Sequence, residues 1–195
     1  MFKKNIFSVP VWHVNITGAV KLKEIEQYSL NMSQQTEGRT ISNLGGFQSY
    51  DLIMNEHPLF NDLYGAIKLQ ADLFCDQVNI NRVNEIGNIW VNVNEYGHSN
   101  QAHHHANCVL SGVFYAHTEY NEQAGSIVFK HPASDLMAYN WANIQNGEFV
   151  PENSLTWQFD CKPGDLIIFP SWLIHHVEPN LAPNYKRISI SFNLS

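Results

Sequence analysis

His103 and His105 flank His104 in the run Ala102-His103-His104-His105-Ala106, and His175 stands far downstream in Phe169-Pro170-Ser171-Trp172-Leu173-Ile174-His175-His176-Val177. In an extended strand, side chains at i and i+2 share a face. His103 and His105 can therefore offer two imidazoles to one metal while His104 points away. A third imidazole from a distant strand would complete one face of an octahedron and leave positions open for a substrate and for O₂. Non-haem Fe(II) centres work in this way, normally with two histidines and one carboxylate. Arg187 opens the β-like run Arg187-Ile188-Ser189-Ile190-Ser191-Phe192. Its planar fork suits a bidentate pair with a dicarboxylate co-substrate. The expected chemistry is metal-assisted oxidation that consumes O₂ and an anionic partner.

The patterning of the chain predicts what carries these residues. Residues 2–16 look extended. Val20, Leu22, Ile25, Tyr28 and Met32 recur at helical spacing over 19–34, and Leu59, Leu63, Ile67, Phe74 and Val78 predict a second amphipathic helix near 57–79, opened by Pro58. After about residue 85, short strands separated by Gly, Pro and Asn are expected at 86–94, 101–107, 109–117, 125–129, 154–159, 165–169, 173–178 and 187–194. The fold class is mainly β with flanking helices: a double-stranded β-helix, or jelly roll, buttressed by two N-terminal helices. One domain is expected over 1–195, with helical support over about 1–85 and the jelly-roll core over about 86–195. The segments 36–50, with its Gly45-Gly46 pair, and 130–150, without periodicity, are expected to flank the barrel mouth and contact substrate.

Composition narrows the function. The 195 residues are 44% hydrophobic and 12% aromatic, which suits a packed globule. A net charge of −7 without a basic block argues against nucleic acid and against anionic membranes as partners. No apolar run approaches the roughly 20 residues of a membrane span, and the start does not read as a signal peptide. Cys75, Cys108 and Cys161 are widely spaced and odd in number, so they read as small buried hydrophobes in a reducing cytoplasm. Among the other histidines, His13, His57, His98, His117 and His131 read as structural, and Trp90, Trp157 and Trp172 as packing residues.

Several segments, taken in order, carry a resemblance. These are Gly45-Gly46-Phe47-Gln48-Ser49, the His103-His104-His105 motif, Ser111-Gly112-Val113-Phe114-Tyr115, Phe169–His175, Val177-Glu178-Pro179-Asn180 and Arg187–Asn193. From about Asn88 onward the chain resembles the prolyl-4-hydroxylase-like 2-oxoglutarate/Fe(II) oxygenases, in particular a group of small ones from bacteria and phages. The resemblance implies a dioxygenase that hydroxylates or otherwise oxidises its substrate, using Fe(II), 2-oxoglutarate and O₂, with ascorbate as an assisting reductant. It implies His103, His105 and His175 as metal ligands, with His105 where prolyl hydroxylases carry aspartate. The register of Val177 and Pro179 selects His175 over His176. Arg187 and Tyr115 would hold the distal carboxylate of 2-oxoglutarate, and Asn94 would stand where another pocket tyrosine often lies. The substrate would be a peptide or a small molecule, and the location the cytoplasm, or that of a host cell for a phage gene.

Two departures matter. The triad lacks a carboxylate, and Phe129-Lys130-His131-Pro132-Ala133 lacks the acid and the arginine of the corresponding family segment. The first keeps open a cupin-like three-histidine metalloenzyme that does not use 2-oxoglutarate. A non-enzymatic jelly-roll binding module is the other alternative. The second departure opens the 130–150 segment and implies a substrate choice different from that of relatives.

Overall fold

A computed structural model describes residues 2–53, 56–83, 85–119, 123–141 and 147–195. β1 (Trp12–Asn15) leads through a 3-10 turn into α1 (Leu22–Gln35), and two short strands follow, β2 (Asn43–Leu44) and β3 (Phe47–Gln48). A 3-10 turn begun by Pro58 opens α2 (Asn61–Val78). The remaining strands are β4 (Ile86–Asn94), β5 (Ser99–His103), β6 (Leu110–His117), β7 (Ile127–Lys130), β8 (Thr156–Phe159), β9 (Asp165–Pro170), β10 (His175–Val177) and β11 (Arg187–Leu194), with α3 (Ser134–Asn140) after β7.

The strands form two antiparallel sheets, a six-stranded one ordered β1-β9-β6-β11-β4-β3 and a five-stranded one ordered β2-β5-β10-β7-β8. This is the jelly roll that the sequence predicts. The two helices pack on the outer face of the larger sheet. There Ile25 of α1 and Leu63, Ile67 and Phe74 of α2 bury against Ile89, Val91, Ile188, Ile190 and Phe192. The apolar residues of α2 fall at i, i+4 and i+11, one stripe of a helix. Left-handed Asn79 (φ 58°) ends it, and the Ile80 N–H closes on the Cys75 carbonyl.

Period-two alternation then sorts the strands. β11 turns Ile188, Ile190 and Phe192 to the helices and Arg187, Ser189 and Ser191 to the space between the sheets. On β4, Val91 and Val93 face the helices, and Trp90, Asn92 and Asn94 face inward. A second core, including Val113, Tyr115, Ile127, Phe129, Cys161 and Phe169, fills the space between the sheets. A polar half and an apolar half therefore meet inside the barrel.

Four expectations change. The strand expected over 101–107 stops at His103, because the chain turns at Asn107, whose φ of 63° no ladder accommodates. Of the extended segment 2–16, Trp12–Asn15 pairs, with β9. Segment 36–50 holds β2 and β3, which lie in different sheets. Gly45 and Gly46 (φ 70° and 72°) carry the chain across, and a Cβ on Gly45 would strike the His98 ring. Within 130–150 lies α3, where a structureless loop was expected. Residues 142–146 of that segment lie outside the described residues.

Candidate metal and co-substrate site

His175 on β10 stands directly opposite His103 on β5 in an antiparallel pair. Opposed residues project to the same face, so the fold itself brings together two imidazoles that are remote in sequence. His105 arrives from beyond the end of β5, in the turn that Asn107 completes, and its N–H donates to the Ser171 carbonyl (2.9 Å). The expected i, i+2 strand geometry is thus half right: the two side chains converge, but backbone anchoring rather than the pleat aims the second. Ring centroids are 4.4 Å apart for His103 and His175, 5.0 Å for His103 and His105, and 5.2 Å for His105 and His175. One ring nitrogen from each lies within 4.8 Å of the others.

The second ring nitrogens are engaged in a way that suits a cation. His103 Nδ1 lies 2.7 Å from the Gln101 carbonyl and His175 Nδ1 lies 2.9 Å from the Leu173 carbonyl. A carbonyl only accepts, so each Nδ1 carries the proton and each Nε2 lone pair is left free. Burial, reinforced by the neighbouring imidazoles, lowers all three pKa values, that of His105 to about 4 and that of His175 to about 3. Unprotonated imidazole is the form that binds metal. His104 is exposed, and His176 is opposite Val128 on the other face of β10. His131 Nδ1 accepts from the Ala133 N–H (3.0 Å) at the start of α3.

A narrow cavity connects the triad with Arg187, Tyr115 and Asn94, all of which line it. Arg187 is 2% exposed. Its Nη1 donates to the carbonyls of Ala124 (2.8 Å), Gly125 (2.8 Å) and Glu178 (3.2 Å), whereas Nη2 is buried without a partner among the described residues. The structure supplies backbone carbonyls to one arm of this buried cation. Burial pulls the Arg187 pKa down, yet a guanidinium stays charged at physiological pH. An uncompensated buried donor costs on the order of 1–3 kcal/mol, more when charged, so the free arm calls for an anion.

Tyr115 is fully enclosed, and its hydroxyl lies beside the Cys161 thiol, which in turn donates to the Phe159 carbonyl at 3.6 Å. Burial pushes the Cys161 thiol up to about 12, so it stays protonated. Asn94 faces Arg187 across the β4–β11 pair. Cys161 is the small buried residue that the sequence suggested, but sequence reasoning missed the inward polar set Ser42, Asn92, Asn100, Ser189 and Ser191. The signal for part of it was present: Asn92 and Asn94, like Ser189 and Ser191, sit at alternate positions of otherwise apolar strands. Trp90 also lines the cavity, 6.0 Å from His105 by ring centroids, with Arg39 above its outer side.

This donor set fits Fe(II) and a dicarboxylic 2-oxo acid: three neutral imidazoles on one side and an orphaned buried guanidinium arm in the same cavity. The comparisons agree with that chemistry. Residues 88–193 match the family model described as "Putative 2OG-Fe(II) oxygenase". No curated protein matches the sequence significantly. Among solved structures, a prolyl-4-hydroxylase from Pseudomonas putida superposes with a TM-score of 0.68 at 9% identity, over 96% of this chain and 92% of that one. A prolyl hydroxylase from Trichoplax adhaerens, in complex with a hypoxia-inducible-factor oxygen-degradation-domain peptide fragment, gives 0.68 at 14%, over 94% and 82%. A viral collagen prolyl hydroxylase from Paramecium bursaria Chlorella virus-1, in complex with 2-oxoglutarate, gives 0.60 at 11%, over 94% of each chain. At such identities the superpositions speak for the fold alone, and the match over more than half the chain speaks for the family. With the family model spanning the strands that bear the triad and the arginine, the chain belongs to the 2-oxoglutarate/Fe(II) oxygenases, enzymes that use 2-oxoglutarate as co-substrate.

Proposed function

We propose that the protein is a single-domain hydroxylase of this family. In this reading His103, His105 and His175 hold Fe(II), and Arg187 and Tyr115 receive the distal carboxylate of 2-oxoglutarate. The observation that carries the reading is the orphaned Nη2 of Arg187, buried in the same cavity as the triad. A cupin-like metalloenzyme would have no use for a buried cation with one arm free, and a binding module would have no use for three converging neutral imidazoles.

Each residue then has a task. The Gln101 and Leu173 carbonyls fix the rings of His103 and His175 so that Nε2 of each is presented. Nη1 of Arg187 is spent on backbone carbonyls, which restrains the guanidinium plane and leaves Nη2 as the arm for the carboxylate. Tyr115, beside Cys161, is placed to turn its hydroxyl toward the same anion, and Asn94 lies across from Arg187 as a further polar contact. Val113, Ile127 and Phe169 keep water from the apolar side. Because the three imidazoles bring no negative charge, the dianionic co-substrate offsets most of the charge of the metal and Arg187. When bound, iron with 2-oxoglutarate and O₂ would supply the oxidising power, with succinate and CO₂ as by-products and ascorbate as an assisting reductant. Hydroxylation is the outcome that we assign, on the resemblance of the motifs to prolyl hydroxylases.

Anaerobic loading with Fe(II), followed by O₂ and succinate detection, tests the reading. Wild-type protein should bind one iron and convert 2-oxoglutarate. His175→Ala should lose both properties, since two imidazoles rarely hold this metal, and His104→Ala should keep both. Loss in His104→Ala with retention in His175→Ala would refute the ligand set.

A further inference from the structure

The row of inward side chains that begins at the triad continues across the five-stranded sheet. His103, His175, Phe129 and Trp157 are directly opposed neighbours on β5, β10, β7 and β8, so all four face the space between the sheets. At about 4.8 Å per strand, Trp157 stands roughly 10 Å from His175. The Phe129 ring is 5.9 Å from that of His175 and 4.9 Å from that of Phe169. These two phenyl rings form a partition beside the metal ligands.

On the far side of Phe129 lies a second cavity of about 720 Å³, within the roughly 300–1,000 Å³ typical of small-molecule sites. Buried Phe129 and Met137 of α3 line it together with Phe159, and the exposed Phe7, Trp141 and Trp157 form its rim. The two tryptophans are 45% and 41% exposed, an apolar rim of the kind that marks a binding groove. Charge is confined to the edge and largely neutralised there: Lys130 pairs with Asp135 (2.9 Å), Glu152 pairs with Lys3 (2.6 Å), and Lys4 is exposed to solvent. Among the described residues that line it none is a buried ionic group, so an ionic ligand would be desolvated without compensation. The concavity is also molecule-sized rather than a long groove.

We infer that this cavity is the substrate subsite, and that it takes an uncharged, predominantly apolar, ring-bearing small molecule whose reactive end passes the edge of Phe129 toward His175. What becomes of the ligand rests on the oxygenase reading; its binding does not.

The test uses two fluorescent probes with the same ring system, neutral N-phenyl-1-naphthylamine and anionic 8-anilino-1-naphthalenesulfonate, titrated into the full chain. The neutral probe should bind about tenfold or more tightly than the sulfonate. Trp157→Ala and Trp141→Ala should each weaken it by roughly tenfold, the order of one lost aromatic contact, and leave metal affinity unchanged. Mn(II) loading should broaden the NMR signals of the bound neutral probe. Equal affinity for both probes, indifference to both substitutions, or signals untouched by Mn(II) would overturn the inference. Displacement of the probe by a proline-containing peptide would overturn the small-molecule class and assign the cavity to a peptide. Probe binding as expected without 2-oxoglutarate turnover would sink the oxygenase reading and leave the cavity standing, and the reverse result would do the opposite.

Discussion

Replacing Arg187 by lysine isolates the feature on which the co-substrate assignment turns. Arg187 divides its fork: Nη1 is held by the carbonyls of Ala124, Gly125 and Glu178, and Nη2 is buried and free. A lysine keeps the charge and has donors enough for two of those carbonyls, but it has no second, rigidly placed nitrogen to offer an anion. The variant therefore loses one charge-assisted hydrogen bond to the distal carboxylate, worth about 1.5–3 kcal/mol. That is roughly a 10- to 100-fold rise in the Kd of 2-oxoglutarate. Isothermal titration into Mn(II)-loaded protein measures it directly. Pyruvate, a 2-oxo acid without the distal carboxylate, serves as the control. Its affinity should be the same in both proteins, because neither it nor the metal contacts residue 187. A 2-oxoglutarate affinity within twofold of wild type, or a parallel loss for pyruvate, would refute the reasoning.

Gly125 (φ 76°) has the Arg187 guanidinium and the Glu178 carbonyl where a Cβ would stand, so Gly125→Ala adds left-handed strain to overpacking, about 2–5 kcal/mol together. By calorimetry Tm should fall by roughly 5–15 °C and 2-oxoglutarate binding should weaken, whereas Gly65→Ala, on an open face of α2, should leave both unharmed; equal melting of the two variants would count against the packing argument. In the metal-free protein, His105 and His175 have pKa values of about 4 and about 3, below the roughly 6.5 of an unfolded histidine. The unfolded chain therefore takes up protons first, and their contribution, complete above about pH 6.5, is lost as pH falls toward 3. Thermal melts from pH 7 to pH 4 should show a steeper decline for wild type than for His105→Asn/His175→Asn; parallel curves would contradict the depressed values.

How much of this was legible follows from which interactions are local. The helices could be read because their apolar stripes repeat every three to four residues, the strands β4 and β11 because much of each alternates, and β6 as an apolar run buried on both faces. The ligand residues were legible through an ordered set of short motifs, even though their meeting depends on the β5–β10 pairing. The short strands β2 and β3 were not: two residues cannot show a period, and each exists because a longer neighbour pairs with it. α3 was hidden for a related reason, since seven residues hold too little pattern to separate a helix from the loop around it. The environment of Arg187 was equally closed to inspection, because its partners are backbone carbonyls, which every residue possesses.

The missing carboxylate in the triad and the missing acid and arginine after Phe129 acquire one physical context. Prolyl hydroxylases place an aspartate where His105 stands; here the position is filled by a half-buried imidazole whose ring centroid lies 6.0 Å from that of Trp90, on a residue whose backbone N–H donates to the Ser171 carbonyl. An ionised carboxylate in that setting would carry its charge into a site bounded by Trp90 and two other imidazoles, and burial would raise its pKa unless metal compensated it. A neutral ligand asks for no such compensation, so the metal-free protein can keep the site assembled. The same economy of charge extends along the sheet: past His175 the inward row continues as Phe129 and Trp157, without a fixed charge, into the large apolar cavity. Charge is kept at the two places where an anion must be met, the metal position and Arg187, and the buried Asp165 carboxylate at the start of β9 is satisfied locally by the Asn15 amide and the Lys162 N–H. Such a division lets one cavity hold a dianionic co-substrate and the other an uncharged molecule without either competing for the other's place.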